Sequence, residues 1–402
     1  MPLDSNQRVI KNTSATILGS EIRHLEDCLR SGCLNGKGKY TKLCQEWLEG
    51  FMQGGRALVV SSGTSALEMA AILANIQPGD EVIVPSYTYV TTVNSFVLRG
   101  ATPVFVDLDR STMNVDASLI EAAITKKTRA IIPVHYGGVA CDMEMIMKVA
   151  RKHSLFVCED AAMACCSTYH GQMLGTIGQL GCISFQEKKN FTAGGQGGAL
   201  LVNDPSLVER AEILYEHGTD RGRFLRGEVE RYHWLDIGLN ATLSELQAAF
   251  LFGQLEASDQ ISARRLWLWG RYFSSLAPLS QKGHIDLPTI PKDTTHNANI
   301  FWMQLKDTSQ RPGIIRYLGN ANIEAHAQFM PLHLSPYGKA HGRFSGVDSV
   351  TSLAASQIVL LPVHMGLSDE DQDRIIATVL AYWEADRVTL NQPSQPRKIS
   401  DN

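Results

Sequence analysis

The chain has 402 residues, and what it lacks is informative. No apolar run approaches the ~18 residues of a membrane-spanning helix. Neither charge sign dominates: 37 Lys and Arg face 41 Asp and Glu, a formal net charge of −4. No broad basic field for nucleic acid is therefore expected. The eight cysteines all precede residue 183 and form no C-x-x-C pair, so no zinc site is indicated. Cys165 and Cys166 are adjacent, a poor geometry for a structural disulfide. There is no internal repeat and no low-complexity domain, and the opening MPLDSNQRVIKN has no apolar signal core. The expectation is a soluble, cytoplasmic protein with reduced thiols and no metal.

What is present is ordinary globular composition, 44% hydrophobic and 19% charged. The length exceeds what one core usually supports, so two domains are expected. Continuous apolar runs at 81–85 (EVIVP), 103–107 (PVFVD), 130–134 (AIIPV), 155–158 (LFVC), 182–185 (CISF) and 199–202 (ALLV) read as strands buried on both faces. Helical stretches at 65–75 and 143–153 separate several of them. This spacing predicts an α/β domain with a mostly parallel sheet flanked by helices. Residues 244–269 read as one long helix leading into a second domain. A further helix is expected at 368–383, and a loose tail at 391–402.

Four motifs lie where ligands sit in such sheets, beyond the carboxyl ends of strands. Ser61-Ser62-Gly63-Thr64-Ser65 follows the apolar run ALVV and opens a helix. It fits either a phosphate cradle or an ordinary helix cap. Glu159-Asp160 follows the run LFVC. A carboxylate there could hold a protonated pyridine nitrogen, or simply be a solvated acid. Ser184 is followed by Lys188-Lys189 and the Gly-rich stretch 192–198 (TAGGQGG). A lysine held and desolvated there could form a Schiff base, while the plainer reading is two surface lysines before a flexible loop. Asn240, before the predicted long helix, reads by itself as a turn residue. Together these supply a phosphate cradle, an acid for a ring nitrogen and a lysine for an aldehyde. Those are the needs of pyridoxal 5'-phosphate (PLP).

The sequence resembles the DegT/StrS-type sugar aminotransferases, of PLP fold type I, from about residue 19 to 383. The likeness rests on LEMAA (67–71), IQPGDEVIVPSYTYV (76–90), PVHYGGVAC (133–141), EDAA (159–162), STYHGQMLGTIG (167–178), TAGGQGG (192–198) and RYHWLDIG (231–238). Within the family it is most similar to the transaminases that make dTDP-4-amino-4,6-dideoxygalactose for enterobacterial common antigen. The resemblance implies a seven-stranded-type sheet in a large PLP-binding domain with an N-terminal arm (1–257), and a smaller α+β domain (258–390). It implies Lys189 as the Schiff-base lysine and Asp160 at the pyridine nitrogen. Gly63, Thr64, Ser65 and Ser184 match the phosphate cup, Tyr89 the aromatic on the ring face, and His333 a residue near the nucleotide-sugar. Asn240 matches an Asn reaching the phosphate from the partner subunit of a homodimer. The implied reaction is ping-pong: L-glutamate leaves its amino group on the cofactor, which delivers it to carbon 4 of dTDP-4-keto-6-deoxyglucose, for surface polysaccharide or related glycan synthesis.

Some positions depart from the family. Met163 replaces a Gln or His beside the cofactor, Gln196 a Glu, Thr242 an Arg, and Gln186 and Gln328 a His each; Lys188 replaces a neutral residue. The alternatives are the gluco epimer, amination of a 3-keto-sugar, a dehydratase of the same fold, and a non-catalytic regulator. Dehydratase relatives carry His in place of the lysine, which Lys189 opposes.

Overall fold

The computed structural model describes residues 8–52 and 55–390, so the expected tail at 391–402 lies outside the described residues. Two helices, α1 (Ser20–Ser31) and α2 (Lys39–Glu49), come first. The chain then alternates: β1 (Arg56–Val60), α3 (Gly63–Leu73), β2 (Glu81–Pro85), α4 (Val90–Val97), β3 (Thr102–Val106), α5 (Ala117–Ala123), β4 (Thr128–Ile131), α6 (Met143–His153) and β5 (Phe156–Asp160). A hairpin of β6 (Thr168–Tyr169) and β7 (Gln172–Met173) leads to β8 (Leu180–Ser184), β9 (Gly198–Val202) and α7 (Val208–Tyr215). Every residue of β2, β8 and β9 is buried, as their unbroken apolar sequences require in a sheet covered on both faces.

The predicted helix at 244–269 is two helices. After α8 (Arg221–Leu225) come α9 (Glu245–Glu256) and α10 (Ser258–Gln281), separated at Ala257 (φ −96°, ψ 14°). Neither Gly nor Pro marks the break, so the local sequence carries no signal for it. The cause is tertiary: Leu251 and Leu255 pack under the large sheet, whereas Leu268, Tyr272 and Leu276 belong to a separate core. That core is completed by β10 (Ile285–Asp286), β12 (Phe301–Leu305), α11 (Arg311–Asn320), β14 (Ile358–Leu361) and α14 (Asp369–Leu390). Between them run β11 (Thr294–Thr295), α12 (Pro336–His341), β13 (Arg343–Phe344) and α13 (Thr351–Gln357).

The large sheet has eight strands, in the order β1–β9–β8–β5–β4–β2–β3–β13, against the seven expected. The eighth is β13, which returns from the C-terminal region to pair parallel with β3. Arg343 anchors it by donating to both oxygens of Glu81, at 3.1 and 2.9 Å, and to the Ala123 carbonyl. Only β9 runs antiparallel to its neighbours in this sheet. The carboxyl ends of β1, β2, β5 and β8 therefore meet along one edge.

Buried carboxylates tie helices to that edge. Glu245 of α9 accepts the backbone N–H groups of Gly38, Tyr40 and Thr41 at 2.8–3.0 Å, setting a negative charge at the N-terminus of α2. Asp107, just past β3, accepts N–H groups from Ser349, Val350 and Thr351, and so heads α13. No helix among the described residues is long and apolar enough to cross a membrane.

Candidate active site

The turn from β1 into α3 is both of the things its sequence allowed. Ser62 is the N-cap: its Oγ accepts the Ser65 N–H at 3.0 Å. That bond engages the Ser65 amide, one of those assigned to the phosphate cup. The first amides of a helix have no partner within it, so the Gly63 and Thr64 N–H groups lead the helix and would meet an anion first. Two glycines keep the space open. A Cβ on Gly63 would lie 2.9 Å from Cβ of Ser184, and one on Gly198 would lie 2.4 Å from the Ser62 carbonyl carbon. The Ser184 hydroxyl, at the end of β8, thus faces the same turn. Beside it, the Ala241 carbonyl accepts the Ser61 N–H at 2.7 Å and Thr242 bridges to Val60. Asn240 is therefore next to the cup of its own chain, with an exposed side chain.

Glu159 and Asp160 belong to β5, not to a loop after it. Alternation along a strand sends them to opposite faces. Glu159, wholly buried, accepts the N–H groups of Gly175, Ile177 and Gly178 and pairs with His135 at 2.9 Å. Burial disfavours the charged imidazole, but the hydrogen bond and charge of Glu159 pull the His135 pKa upward. Asp160, 4% exposed, accepts the Thr92 hydroxyl at 2.6 Å and the Ala162 N–H at 3.0 Å. Thr92, in turn 2.9 Å from the Thr88 hydroxyl, was not singled out in the sequence. The only local signal was two threonines four apart at a helix start.

The lysine pair divides cleanly. Lys188 is exposed, and its N–H donates to the Gln186 side chain at 2.9 Å. Lys189 is half-buried in a loop that is far from flexible: Glu187 N–H bonds Gly195 O, and Ala193 N–H bonds Phe185 O. Asn190 then ties the loop to the C-terminal region, donating to Asn297 O at 2.7 Å and accepting from the Asn299 amide at 2.9 Å. Burial lowers the Lys189 pKa, against the opposing pull of Asp160. An amine with a lowered pKa close to a carboxylate can act as nucleophile and proton carrier.

The remaining positions lie on the far side. Tyr89 is 61% exposed at the head of α4, its ring 6.3 Å from that of Phe329. Met163 is buried with Tyr87 and Tyr136, and the Tyr136 hydroxyl donates to Gln328. Gln196 is exposed, and its carbonyl accepts from Gln247. His333 has both ring nitrogens engaged, Nδ1 with Ser86 at 2.7 Å and Nε2 with Asp348 at 3.0 Å. In this arrangement it ties β2 to the C-terminal segment and leaves no nitrogen for a substrate.

An anion cradle, a held carboxylate and a desolvated lysine at one sheet edge define the class of a PLP-type transferase site. Comparison with known proteins sharpens this. The DegT/DnrJ/EryC1/StrS aminotransferase family matches residues 16–380. The chain is 34% identical over 374 residues to GDP-perosamine synthase of Caulobacter vibrioides, covering 90% of this chain and 95% of that one. It is 33% identical over 377 residues to the spore coat polysaccharide biosynthesis protein SpsC of Bacillus subtilis, covering 91% and 95%. Among solved structures, the aminotransferase TlmJ from Streptoalloteichus hindustanus superposes with a TM-score of 0.86 at 29% identity, covering 94% of this chain and all of that one. The chain belongs to the DegT/DnrJ/EryC1/StrS aminotransferase family. It is a sugar aminotransferase of PLP-dependent fold.

Proposed function

We propose that the chain moves an amino group from L-glutamate to carbon 4 of a nucleotide-linked 4-keto-6-deoxy sugar, with Lys189 as the catalytic lysine. The observation that carries this is the meeting of Lys189, Asp160, Ser184 and the Gly63–Thr64 helix start at one sheet edge. The residues fit PLP: Gly63 and Gly198 leave room in the cradle, and its donors are amides and a hydroxyl, which suit a phosphate. Bound there, PLP would supply an aldehyde and an electron-withdrawing ring. Thr92 and the Ala162 N–H hold the Asp160 carboxylate in place, where it would pair with the ring nitrogen. Burial lets Lys189 release and take up the proton between donor carbon and sugar. Tyr89 would cover one ring face, and the exposed Asn240, beside the cup of its own chain, would reach the phosphate of a second subunit in a homodimer. The exposed Tyr232, Trp234, Leu235 and Ile237 in the loop before Asn240 support such a partner surface.

Two nucleotides compete. The dTDP-linked 4-keto-6-deoxyglucose, giving the galacto amine, is the first reading. A GDP-linked keto-sugar is the second, favoured by likeness to GDP-perosamine synthase. Incubation with PLP, L-glutamate and each keto-sugar, followed by mass and NMR analysis, separates them. Absence of amino-sugar from both would refute the proposal.

A further inference from the structure

No hydrogen bond among the described residues holds the Lys189 amine, which feels burial and the charge of Asp160. Where it sits is therefore decided by packing and by the backbone that carries it. Asp160 ends β5 and is locked to β8 by the sheet, but Lys189 lies beyond Ser184, the last residue of β8, outside the strand pairing. Something else must keep the amine and the carboxylate in register. The next residue, Asn190, shows what does.

Asn190, bonded to the Asn297 carbonyl and the Asn299 amide, is one end of a buried chain of three asparagines. Asn297 carries the chain onward. Its Nδ2 donates to the Met163 and Cys165 carbonyls at 2.9 and 2.8 Å, and its Oδ1 accepts the Asn299 N–H at 3.1 Å. Those two carbonyls belong to the loop that leaves β5 after Asp160. Carbonyls only accept and N–H groups only donate, so each amide can face one way only. The turn after β4 makes room: Gly138 has φ +82°, and a Cβ on it would lie 2.0 Å from Oδ1 of Asn297. The segment 297–299 is itself held at every carbonyl. Asn190 donates to the first, and buried Arg265 of α10 donates to the other two, from Nε to Ala298 at 3.1 Å and from Nη2 to Asn299 at 2.7 Å. These bonds sustain Ala298 at φ +50°, a left-handed conformation that a Cβ disfavours. The segment then enters β12, the central strand of the sheet β10–β12–β14.

We infer that Asn190, Asn297 and Asn299 are positioning residues, a buried amide bridge from the C-terminal core that holds the Lys189 backbone in register with the loop after Asp160. The inference rests on the aminotransferase reading, in which the lysine and the carboxylate must serve one ring. A misplacement of about 1 Å in a group that carries a proton costs about 10²-fold in rate. Amides suit this task better than apolar side chains. Each specifies its partner by direction, whereas an apolar contact tolerates sliding.

The test uses the whole PLP-loaded protein and reads the circular dichroism of its visible band, which reports how firmly an achiral chromophore is held in one orientation. Asn190→Ala should lower that dichroism per unit absorbance by about half or more. It should lower kcat about 10²-fold, with KM for L-glutamate and for the keto-sugar changed by less than about three-fold. Asn299→Ala keeps the bond between Asn190 and Asn297 and should act in the same direction more weakly; it gives the answer if Asn190→Ala does not fold. Gln304→Leu is the control. It breaks a buried amide pair with Gln357, 2.9 Å apart in the C-terminal core, that takes no part in the bridge. It should lower Tm with the dichroism and kcat intact. The bridge is overturned by unchanged dichroism and kcat in both asparagine variants, or by a Gln304→Leu protein that loses both to the same degree. Dichroism that falls as expected in a protein whose wild type makes no amino-sugar would overturn the aminotransferase reading instead.

Discussion

The two walls of the site are built differently. The wall of Gly63, Asp160 and Ser184 stands on one sheet: Asp160 and Ser184 end β5 and β8, which pair with neighbouring strands, and Gly63 opens the helix that follows β1. The wall of Gln328, Phe329 and His333 comes from a C-terminal segment with little regular structure. It is held on by separate long-range bonds: His333 to Ser86, Tyr136 to Gln328, and Asp107 to the start of α13. The difference teaches that the first wall depends on the sheet as a whole, while the second depends on a few anchoring side chains that can be removed one at a time. Of the departures named from the resemblance, Met163 and Gln328 lie at this second wall, Gln186, Lys188 and Gln196 in the lysine loop, and Thr242 beside the cup.

Substitutions can break that contrast. The largest effect should come from Lys189→Ala, which should lower kcat by about 10³-fold or more and remove the visible band of the PLP-loaded protein. Lys188→Ala should keep the band. The reverse result would exchange their roles. Next is Gly198→Ala, whose Cβ would press on the Ser62 carbonyl carbon. A loss of about 3 kcal/mol is expected in urea unfolding, with weaker PLP binding. Retention of both would mean that the cup is not rigid.

Asp107→Asn tests the second wall. Hydrogen bonds from Thr351 and Ser349 outweigh burial and hold the Asp107 pKa to about 2. The folded value lies below the ordinary 3.8, so the stabilisation is full above that value and is lost as pH falls through about 2. It amounts to about 2 kcal/mol. Thermal unfolding should show wild type ahead of Asp107→Asn at pH 7 and the gap shrinking toward pH 2.5; a constant gap would contradict the assignment. The smallest effect should be Thr92→Val, which removes one donor to Asp160. PLP affinity should fall about ten-fold with little change in Tm, as read by titrating the visible band.

Much of the first wall was legible because its signals are local. An apolar run ends, then a Ser-Gly-Thr turn or an Asp or a Ser follows, and the sheet brings these ends together. The plainer alternatives were local too, and at Ser62 the capping role is the one the hydrogen bonds show. Thr92, Arg265 and the paired state of His333 were not legible. Each is defined by a partner far along the chain: Asp160, the carbonyls after Asn297, and Asp348 with Ser86. The break at Ala257 was missed for the same reason, since only the passage from one core to another requires it.

The sequence by itself determined the alternation of strand and helix, the buried character of the sheet and the set of residue types that PLP chemistry needs. These follow from periodicity and residue chemistry over short spans. The tertiary structure alone decided that Lys189 is packed while Lys188 is exposed, that Glu159 and Asp160 face opposite ways, that β13 adds an eighth strand, and that Arg265 lies buried against two carbonyls with no acid paired to it among the described residues. Burial and electrostatic environment depend on every element packed around a group, and most of those elements are distant in the chain.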